Sequence, residues 1–248
     1  QEYDYLDDTH PTETVSYLAV EQGRFTLPGG VSVEAGQLRA GTSYTFHQFT
    51  DTFPSTPMVL AHPATLSDAR PVIGRTDNVS TSGFEFKLQV EEAGGSEHQP
   101  ETINYIAWER GVGNLEGFSF ESSTTGNAVG HADYPLLFSG NHSTLPFFLA
   151  GLQTDNGPDP GNLRLSNLTA NSVTINIDEE QSLDSETSYA NEDVGYLVIH
   201  PPEASPGTIH DDFEADSSLN YTSFKGQLSV ASGAAHGQPW KETLAYHN

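Results

Sequence analysis

The sequence contains one pattern several times at a nearly constant spacing. The segment HPTETVSYLAVEQG at 10–23 is matched by HQPETINYIAWERG at 98–111, so that Glu13 and Glu101 stand 88 residues apart. A third, weaker copy reads YANEDVGYLVIHP and places Glu192 a further 91 residues along the chain. A fixed period of this length indicates a duplicated structural unit, and it limits the fold to units of about 90 residues.

The middle of the unit is repeated with the same spacing. FPSTPMVLAHP at 53–63 corresponds to HSTLPFFLAGL at 142–152, and RTDNVSTSGFEFKLQVEE at 75–92 corresponds to RLSNLTANSVTINIDEE at 164–180. The equivalent residues are 89 positions apart, namely Pro57 and Pro146, Ala61 and Ala150, Arg75 and Arg164, and Asn78 and Asn167. Several anchors that share one offset indicate that the whole unit is duplicated.

These anchors predict two complete units, at residues 23–111 and 112–200. Residues 1–22 are interpreted as the closing strand of a preceding or partner unit. Residues 201–218 are rich in Pro, Asp and Ser and are predicted to be a linker. Residues 219–248 are similar to the opening strands of a further repeat, so the chain is expected to be a window from a longer array.

Each unit is expected to fold as β-structure. FEFKLQV alternates, so Phe84, Phe86 and Leu88 are predicted to face the core while the residues between them face outward. TINYIAW at 102–108 is apolar on both faces, which indicates a central strand or one that is covered by a neighbour. About six short strands per unit, separated by turns rich in Gly and Pro, predict an all-β protein of tandem small antiparallel sandwiches.

Three segments of the sequence resemble one known family. YLDDTHPTETVSYLAVEQG, FPSTPMVLAHP with the following GRTDNVSTSGFEFKLQVEE, and LPFFLAGLQTDNGPDPGNLRLSNLT are similar to H-type lectin domains, most of all to the tandem copies in large exported bacterial proteins. The resemblance covers most of residues 1–200 and implies a six-stranded antiparallel β-sandwich. Trimeric members of that family bind N-acetylgalactosamine or galactose between subunits, so the resemblance also implies glycans as candidate partners.

The composition excludes several classes of partner. The chain has 34 Asp and Glu against 9 Lys and Arg, a formal net charge of −25, and such a surface repels nucleic acid and anionic lipid. It has no Cys, which excludes disulfides and thiolate sites, and no apolar run long enough to insert into a membrane. An extracellular or cell-surface location is expected for this acidic chain.

One Gly- and Pro-rich loop carries candidate calcium ligands. TDNGPDPGNLR at 154–164 contains Asp155, Asp159 and Asn162, whose oxygens are of the type that calcium prefers. A plain turn explains Asp, Asn, Gly and Pro in this loop equally well, so no cofactor is certain. Three acidic doublets either join such a site or belong to the solvated surface: Glu91–Glu92, Glu179–Glu180 and Asp211–Asp212.

A His-x-x-Glu spacing occurs at His98 and Glu101 and again at His10 and Glu13. Residues three apart on a strand point to opposite faces, so the pair could share a metal only in a loop. Tyr189 replaces His in the third copy, which weakens a catalytic or metal-binding role. The motif is therefore interpreted as a loop that leads into a strand.

Candidate sugar-binding residues are Arg75, Arg164 and Trp108. Trp108 could stack on a sugar ring, although core or interface packing is the commoner role of such a residue. The two arginines occupy one repeat position, where they either fix a carboxylate through a charge-assisted bond or contact a sugar hydroxyl. Four sequons are candidate glycosylation sites: Asn78, Asn141, Asn167 and Asn220.

Two functions remain open from the sequence. The chain contains none of the catalytic motifs G-x-S-x-G and H-E-x-x-H and no phosphate-binding Gly loop. It is therefore not expected to be an enzyme. The first hypothesis is a non-catalytic extracellular segment, structural or adhesive, that forms a surface fibre or stalk with copies of itself or adjacent repeats. The alternative is a galactose-type carbohydrate-binding module of a larger polysaccharide-active protein. Strand pairing between units would use the first apolar strand, at Thr14, Val15, Tyr17, Leu18 and Val20.

Overall fold

The computed structural model describes residues 15–202 and, as backbone strands alone, residues 221–223, 228–230 and 245–247. Over these residues the chain is all-β, as predicted, and a 3-10 turn at Glu92–Gly94 is the one helical element. No helix in the described part of the chain is long and apolar enough to cross a membrane.

The first sandwich consists of seven antiparallel strands in two sheets. A four-stranded sheet has the order β2-β3-β8-β5, and a three-stranded sheet has the order β4-β7-β6. The strands are β2 (Gly23–Thr26), β3 (Ser32–Ala40), β4 (Thr45–Gln48), β5 (Met58–Pro63), β6 (Val72–Asp77), β7 (Gly83–Val90) and β8 (Glu101–Trp108).

The second sandwich repeats this topology strand for strand. Its sheets have the orders β9-β10-β15-β12 and β11-β14-β13. The strands are β9 (Gly111–Leu115), β10 (Phe118–Val129), β11 (Tyr134–Leu137), β12 (Phe147–Leu152), β13 (Gly161–Ser166), β14 (Ser172–Glu179) and β15 (Glu192–His200). Each sandwich thus has one strand more than the expected six or so, and the additional strand is the short one that opens the unit.

The additional strand of the first sandwich exists because a tight turn folds it back on its neighbour. Gly29 and Gly30 both adopt positive φ, at 90° and 87°, a conformation that favours glycine. The amide of Gly30 donates to the carbonyl of Leu27 at 3.0 Å, and the amide of Leu27 donates to the carbonyl of Val31 at 2.8 Å. The turn therefore pairs β2 with β3 in a hairpin.

Two further pairs involve strands near the ends of the described chain. β1 (Leu18–Val20) pairs antiparallel with β17 (Leu228–Val230), and β16 (Tyr221–Ser223) pairs with β18 (Ala245–His247). Leu18 and Val20 thus lie opposite a strand of residues 219–248, the segment predicted to open a further repeat. Val15 and Tyr17 precede β1, and Thr14 lies outside the described residues. Pairing between units stays a prediction.

Each sandwich encloses its own apolar core. In the first, side chains of β3, β5 and β8 pack against β7 from the opposite sheet. The predicted alternation of FEFKLQV is confirmed, because Phe84, Phe86 and Leu88 are buried while the residues between them are only partly buried. Val173 and Ile175 of β14 occupy the corresponding positions of the second core.

A third apolar cluster lies between the two sandwiches. It combines Met58 and Leu60 of β5 and Trp108 of β8 with Leu197 and Ile199 of β15. These residues alternate with those that face their own core, so both four-stranded sheets are apolar on two faces. The two-faced pattern of TINYIAW is explained on both counts, since β8 is central in its sheet and is covered by the neighbouring sandwich.

Both sandwiches contribute the same repeat positions to this third cluster. The equivalent pairs are Val33 and Phe120, Met58 and Phe147, Leu60 and Leu149, and Trp108 and Ile199. Such a contact, in which each partner presents the same patch, has the character of the isologous interface of a homodimer. The two sandwiches therefore form a closed pair within one chain.

The shared cluster predicts that the two sandwiches unfold together. Leu197 is completely buried in it, so Leu197→Ala is expected to lower the free energy of unfolding by about 2–5 kcal/mol through lost burial and a residual cavity. Val112 is 65% exposed, and the control Val112→Ala is expected to change the same quantity by less than about 0.5 kcal/mol. Urea unfolding followed by tryptophan fluorescence and far-UV circular dichroism measures both. Two separate transitions, of which only one shifts, would contradict a shared core.

Candidate functional site at the junction of the two sandwiches

One arginine of the first sandwich is buried against two carboxylates of the second. Arg75 of β6 is 0% exposed. Its Nη2 atom lies 2.7 Å from Oδ1 of Asp155 and 3.0 Å from Oε1 of Glu192, and its Nε donates to the same Asp155 oxygen at 2.9 Å. Because these charges are removed from water together, the network holds the junction only as long as all its members are present.

Asp155 is shared between Arg75 and two further groups of the first sandwich. Lys87 of β7 lies 2.5 Å from its Oδ2 atom, and the Tyr44 hydroxyl donates to the same oxygen. Burial by itself would raise the pKa of Asp155, but the hydrogen bonds from Lys87 and Tyr44 and the charge of Arg75 outweigh it and hold that pKa below its usual value. Asp155 is therefore a stable anion at the junction.

Glu192, at the start of β15, orders the loop that presents Asp155. Its carboxylate accepts hydrogen bonds from the Thr154 hydroxyl at 2.5 Å and from the Asn156 amide at 2.9 and 3.0 Å. The Gly157 amide also donates to it at 3.0 Å. Since Glu192 is completely buried, these donors and Arg75 replace the water that the carboxylate gives up.

Glu101 has the same role in the first sandwich. It accepts hydrogen bonds from the Thr65 hydroxyl and from the amides of Ser67 at 2.7 Å and Asp68 at 3.3 Å. Burial opposes ionisation, but these donors lower the pKa of Glu101. His98 hydrogen-bonds backbone carbonyls at 2.7 and 3.1 Å. The repeated Glu thus ties a loop to the start of a strand. The motif itself lies where a loop leads into β8, as interpreted from the sequence.

A second repeated Glu, which the sequence analysis missed, ties the strands of each sandwich together. Glu34 accepts from the hydroxyl of Tyr105 at 2.8 Å, and Glu121 accepts from the hydroxyl of Tyr196 at 2.8 Å. The backbone amide of Thr50, in the loop after β4, completes the first of these sites at 3.0 Å. The signal was present, because each Glu and its Tyr stand at equivalent repeat positions.

Polar contacts extend the junction beyond the arginine. The side-chain amide of Gln153 donates to the carbonyl of Val59 at 2.7 Å and accepts from its amide at 2.7 Å, as a neighbouring strand would. Gln89 donates to the carbonyl of Pro158 at 2.9 Å. The backbone amide of Glu92 donates to Oε2 of Glu180 at 2.8 Å. The two sandwiches are therefore held by directional bonds around the apolar cluster.

Several carboxylates crowd together at one end of the junction. Oxygens of Asp159, Glu179 and Glu186 lie within 4.8 Å of one another and could hold a metal ion. A hydrogen bond with Asp159, burial and further acidic neighbours raise the pKa of Glu92 to about 7. Burial and the charges of Glu186, Asp159 and Asp184 raise the pKa of Glu179. The site repels its own negative charge, and only a proton or a cation relieves that repulsion.

The structure separates the residues predicted to bind calcium. Asp155 belongs to the network around Arg75, whereas Asp159 belongs to the acidic group. Asn162 lies on β13, opposite Asp178 of β14. Glu179, from one of the acidic doublets, joins Asp159, and Glu186 is a member that the sequence analysis did not identify. Glu186 lies in an exposed loop, where acidic residues are common, so the sequence gives no signal that sets it apart.

The predicted sugar-binding residues are also dispersed. Trp108 is 0% exposed and packs edge-on against Phe120 with ring centroids 5.3 Å apart. Arg75 is buried in the ion network, and Arg164 is exposed and pairs with Asp178 at 3.3 Å. Trp108 thus packs in an apolar cluster, and Arg75 binds carboxylates. These roles were the alternatives to sugar contact. Sugar binding by these residues stays a prediction.

The repeated sequons occupy a special backbone position. Asn78 and Asn167 follow β6 and β13 with φ values of 49° and 52°, in the left-handed region that Asn tolerates better than most residues. This backbone conformation alone accounts for the recurrence of Asn at this position, so glycosylation is not needed to explain it. Asn141 is exposed, Asn220 lies outside the described residues, and glycosylation at all four stays a prediction.

Comparison with known proteins gives one informative similarity. Over 217 residues the sequence is 30% identical to Halomucin of Haloquadratum walsbyi (strain DSM 16790 / HBSQ001). The similarity covers 86% of this chain but spans 2% of Halomucin, so the chain is similar to a small part of a far longer protein. No protein-family model matches the sequence, and no solved structure matches it significantly. The likeness to H-type lectin domains therefore remains a resemblance of segments.

The buried network predicts that replacing Arg75 lowers the free energy of unfolding more than replacing Arg164, its equivalent in the second sandwich. Arg75→Met leaves Asp155 and Glu192 without their shared cation, and we expect it to lower the free energy of unfolding by about 3–5 kcal/mol. Arg164→Met removes an exposed pair and is expected to cost less than about 1 kcal/mol. Urea denaturation of both variants tests this, and equal costs would show that the buried network is not needed.

Acidification is expected to weaken the junction through Asp155. Its pKa is lower in the folded chain than in the unfolded chain, so the unfolded state binds the proton first as the pH falls. The stabilisation is complete above pH of about 4 and is lost as the pH falls further, through the folded pKa. Free energies of unfolding between pH 6 and 2 measure it. We expect a shallower dependence in Asp155→Asn, and an unchanged slope would contradict this assignment.

Proposed function

We propose that this chain is a non-catalytic structural segment of a much larger extracellular surface protein. The main support for the proposal is the interface between the two duplicated sandwiches, which consists of an apolar cluster and a buried ion network. Similarity to 2% of a far longer protein supports a segment that is one part of an extended array. Adjacent repeats or copies of the same protein are its proposed partners.

The form of the junction supports a mechanical role. Modules on flexible linkers need no buried contact with each other, since relative motion is the usual state of domains with small polar interfaces. Here Trp108, Leu60 and Leu197 are buried between the sandwiches, and Arg75 crosses the junction to Asp155. A block of this kind resists bending between its halves, which suits a fibre or stalk.

The hydrogen bonds of the repeated glutamates support a non-catalytic role. Glu101 and Glu192 each hold a loop, and Glu34 and Glu121 each accept from a tyrosine hydroxyl. These four carboxylates stand at equivalent positions of the two copies, and all four are committed to hydrogen bonds within the fold. Duplication therefore preserved a scaffold.

The net charge supports an extracellular location. A formal charge of −25 on 248 residues keeps a chain soluble and, at low salt, repels other acidic surfaces. Such a surface suits a protein that stands in a saline medium, where screening reduces the repulsion within the chain. Carbohydrate binding has less support, because Trp108 and Arg75 are buried.

The location and the size of the parent protein can be tested together. An antibody raised against the purified chain is expected to label intact cells of the source organism. In an immunoblot, the same antibody is expected to detect a species much larger than the 26.8 kDa of this chain. An antibody to a cytosolic protein, which should label only permeabilised cells, is the control. Labelling that requires permeabilisation, or a native species near 26.8 kDa, would overturn the proposal.

A further inference from the structure

We propose that Asp159, Glu179 and Glu186 form a calcium site at the junction, with Glu92 of the first sandwich at its edge. The carboxylate oxygens of the first three lie within 4.8 Å of one another. They come from three separate segments of the second sandwich: the loop before β13, the end of β14 and the loop before β15. This inference is independent of the cellular location proposed above.

Glu179 is the observation that points to a ligand. It continues the inward-facing row of β14 after Val173, Ile175 and Ile177, so its carboxylate stands where an apolar side chain is expected. Glu179 is 7% exposed, and its Oε2 atom is buried with no hydrogen-bond partner. A buried carboxylate oxygen without a partner costs free energy that a bound cation would recover.

In the part of the chain that the structure describes, no positive side chain pairs with this group. Among residues 15–202, none of the ion pairs includes Glu92, Asp159, Glu179 or Glu186. Arg75 and Lys87, which reach across the junction, both pair with Asp155. A divalent cation would supply the missing charge.

The chemistry and flexibility of the donors favour calcium over magnesium. All donors are carboxylate oxygens, the hard ligands that both ions accept. Calcium tolerates an irregular set of six to eight oxygens, whereas magnesium demands near-ideal octahedral geometry and gives up its water reluctantly. Donors on two loops and a strand end form an irregular set. Glu186 is exposed, so solvent can reach the site and water can complete the coordination.

The position of the site gives the ion a structural consequence. Glu92 lies in the 3-10 turn of the first sandwich, and its carboxyl group shares a hydrogen bond with Asp159 of the second. The backbone amides of the same turn reach the second sandwich, where Glu92 donates to Glu180 at 2.8 Å and Ala93 donates to Ser182 at 2.8 Å. Calcium at Asp159 would remove the repulsion at this contact and stiffen the junction.

Calorimetric titration of the purified chain with CaCl2 tests the proposal directly. The chain is first treated with EDTA, and the titration is done in a buffer with high NaCl, which screens non-specific binding to the acidic surface. We expect one calcium ion per chain and a higher melting temperature with calcium. MgCl2 is expected to bind more weakly and to give a smaller shift.

Matched variants locate the ion. Glu179→Gln and Glu186→Gln are each expected to weaken calcium binding by about tenfold or more, because each removes a charged ligand. Asp178→Asn is the control, because Asp178 adjoins Glu179 on β14 but is exposed on the opposite face. It is expected to bind calcium like the wild type. Since Glu186 is exposed, its variant is informative even if Glu179→Gln fails to fold.

Three results would overturn the proposal. The first is no calcium binding by the wild-type chain at millimolar CaCl2. The second is wild-type affinity in Glu186→Gln, or in a folded Glu179→Gln variant. The third is a magnesium affinity equal to that for calcium, which would exclude the irregular calcium site described here. None of these results bears on where the parent protein is located, so the two proposals can fail separately.

Discussion

The apolar second face of the two four-stranded sheets is the constraint on which the rest of the structure depends. β8 and β15 carry large apolar side chains toward their own cores and also away from them. Removing a side chain of this kind from water is worth about 1.5–3 kcal/mol, so each sheet is stabilised by a cover for Trp108 or Leu197. The duplicated neighbour supplies that cover. Once the sheets meet, Arg75 is brought against Asp155.

The apolar and polar parts of the junction obey different rules. The apolar positions are equivalent in both sandwiches, but the ion network occurs only once. At the offset of 89, the equivalent of Asp155 is Leu66, which is 71% exposed, and Arg164, the equivalent of Arg75, remains on the surface. Apolar packing brings the two copies together, and the one-sided ion network distinguishes the first from the second.

Much of the fold could be predicted from the sequence, because repetition and alternation are local signals. The offset of Pro57 and Pro146 indicated the duplication, and the alternation of Phe84, Phe86 and Leu88 indicated the strand and its buried face. The two apolar faces of TINYIAW already indicated that something covers the sheet. What covers it could not be read from a single strand.

The site was less predictable because its contacts join residues far apart in sequence. Arg75 binds Asp155 and Glu192, which lie 80 and 117 residues further along the chain. The prediction that Arg75 fixes a carboxylate named the chemistry but not the partner. The calcium prediction chose residues within one loop, whereas the acidic group takes Asp159 from that loop and Glu179 and Glu186 from later segments. Only the paired sheets of the second sandwich bring these three together.

Gln153 has a consequence for how such a chain avoids misassembly. β5 is the last strand of its sheet, and its outer backbone groups are open to any other strand that approaches. The second sandwich contains strands equivalent to those of the first, and β12, the equivalent of β5, is one that could fit this edge. Gln153 occupies the amide and the carbonyl of Val59 with one side chain, at 2.7 Å each. The junction thus blocks wrong strand pairing at Val59 of this edge.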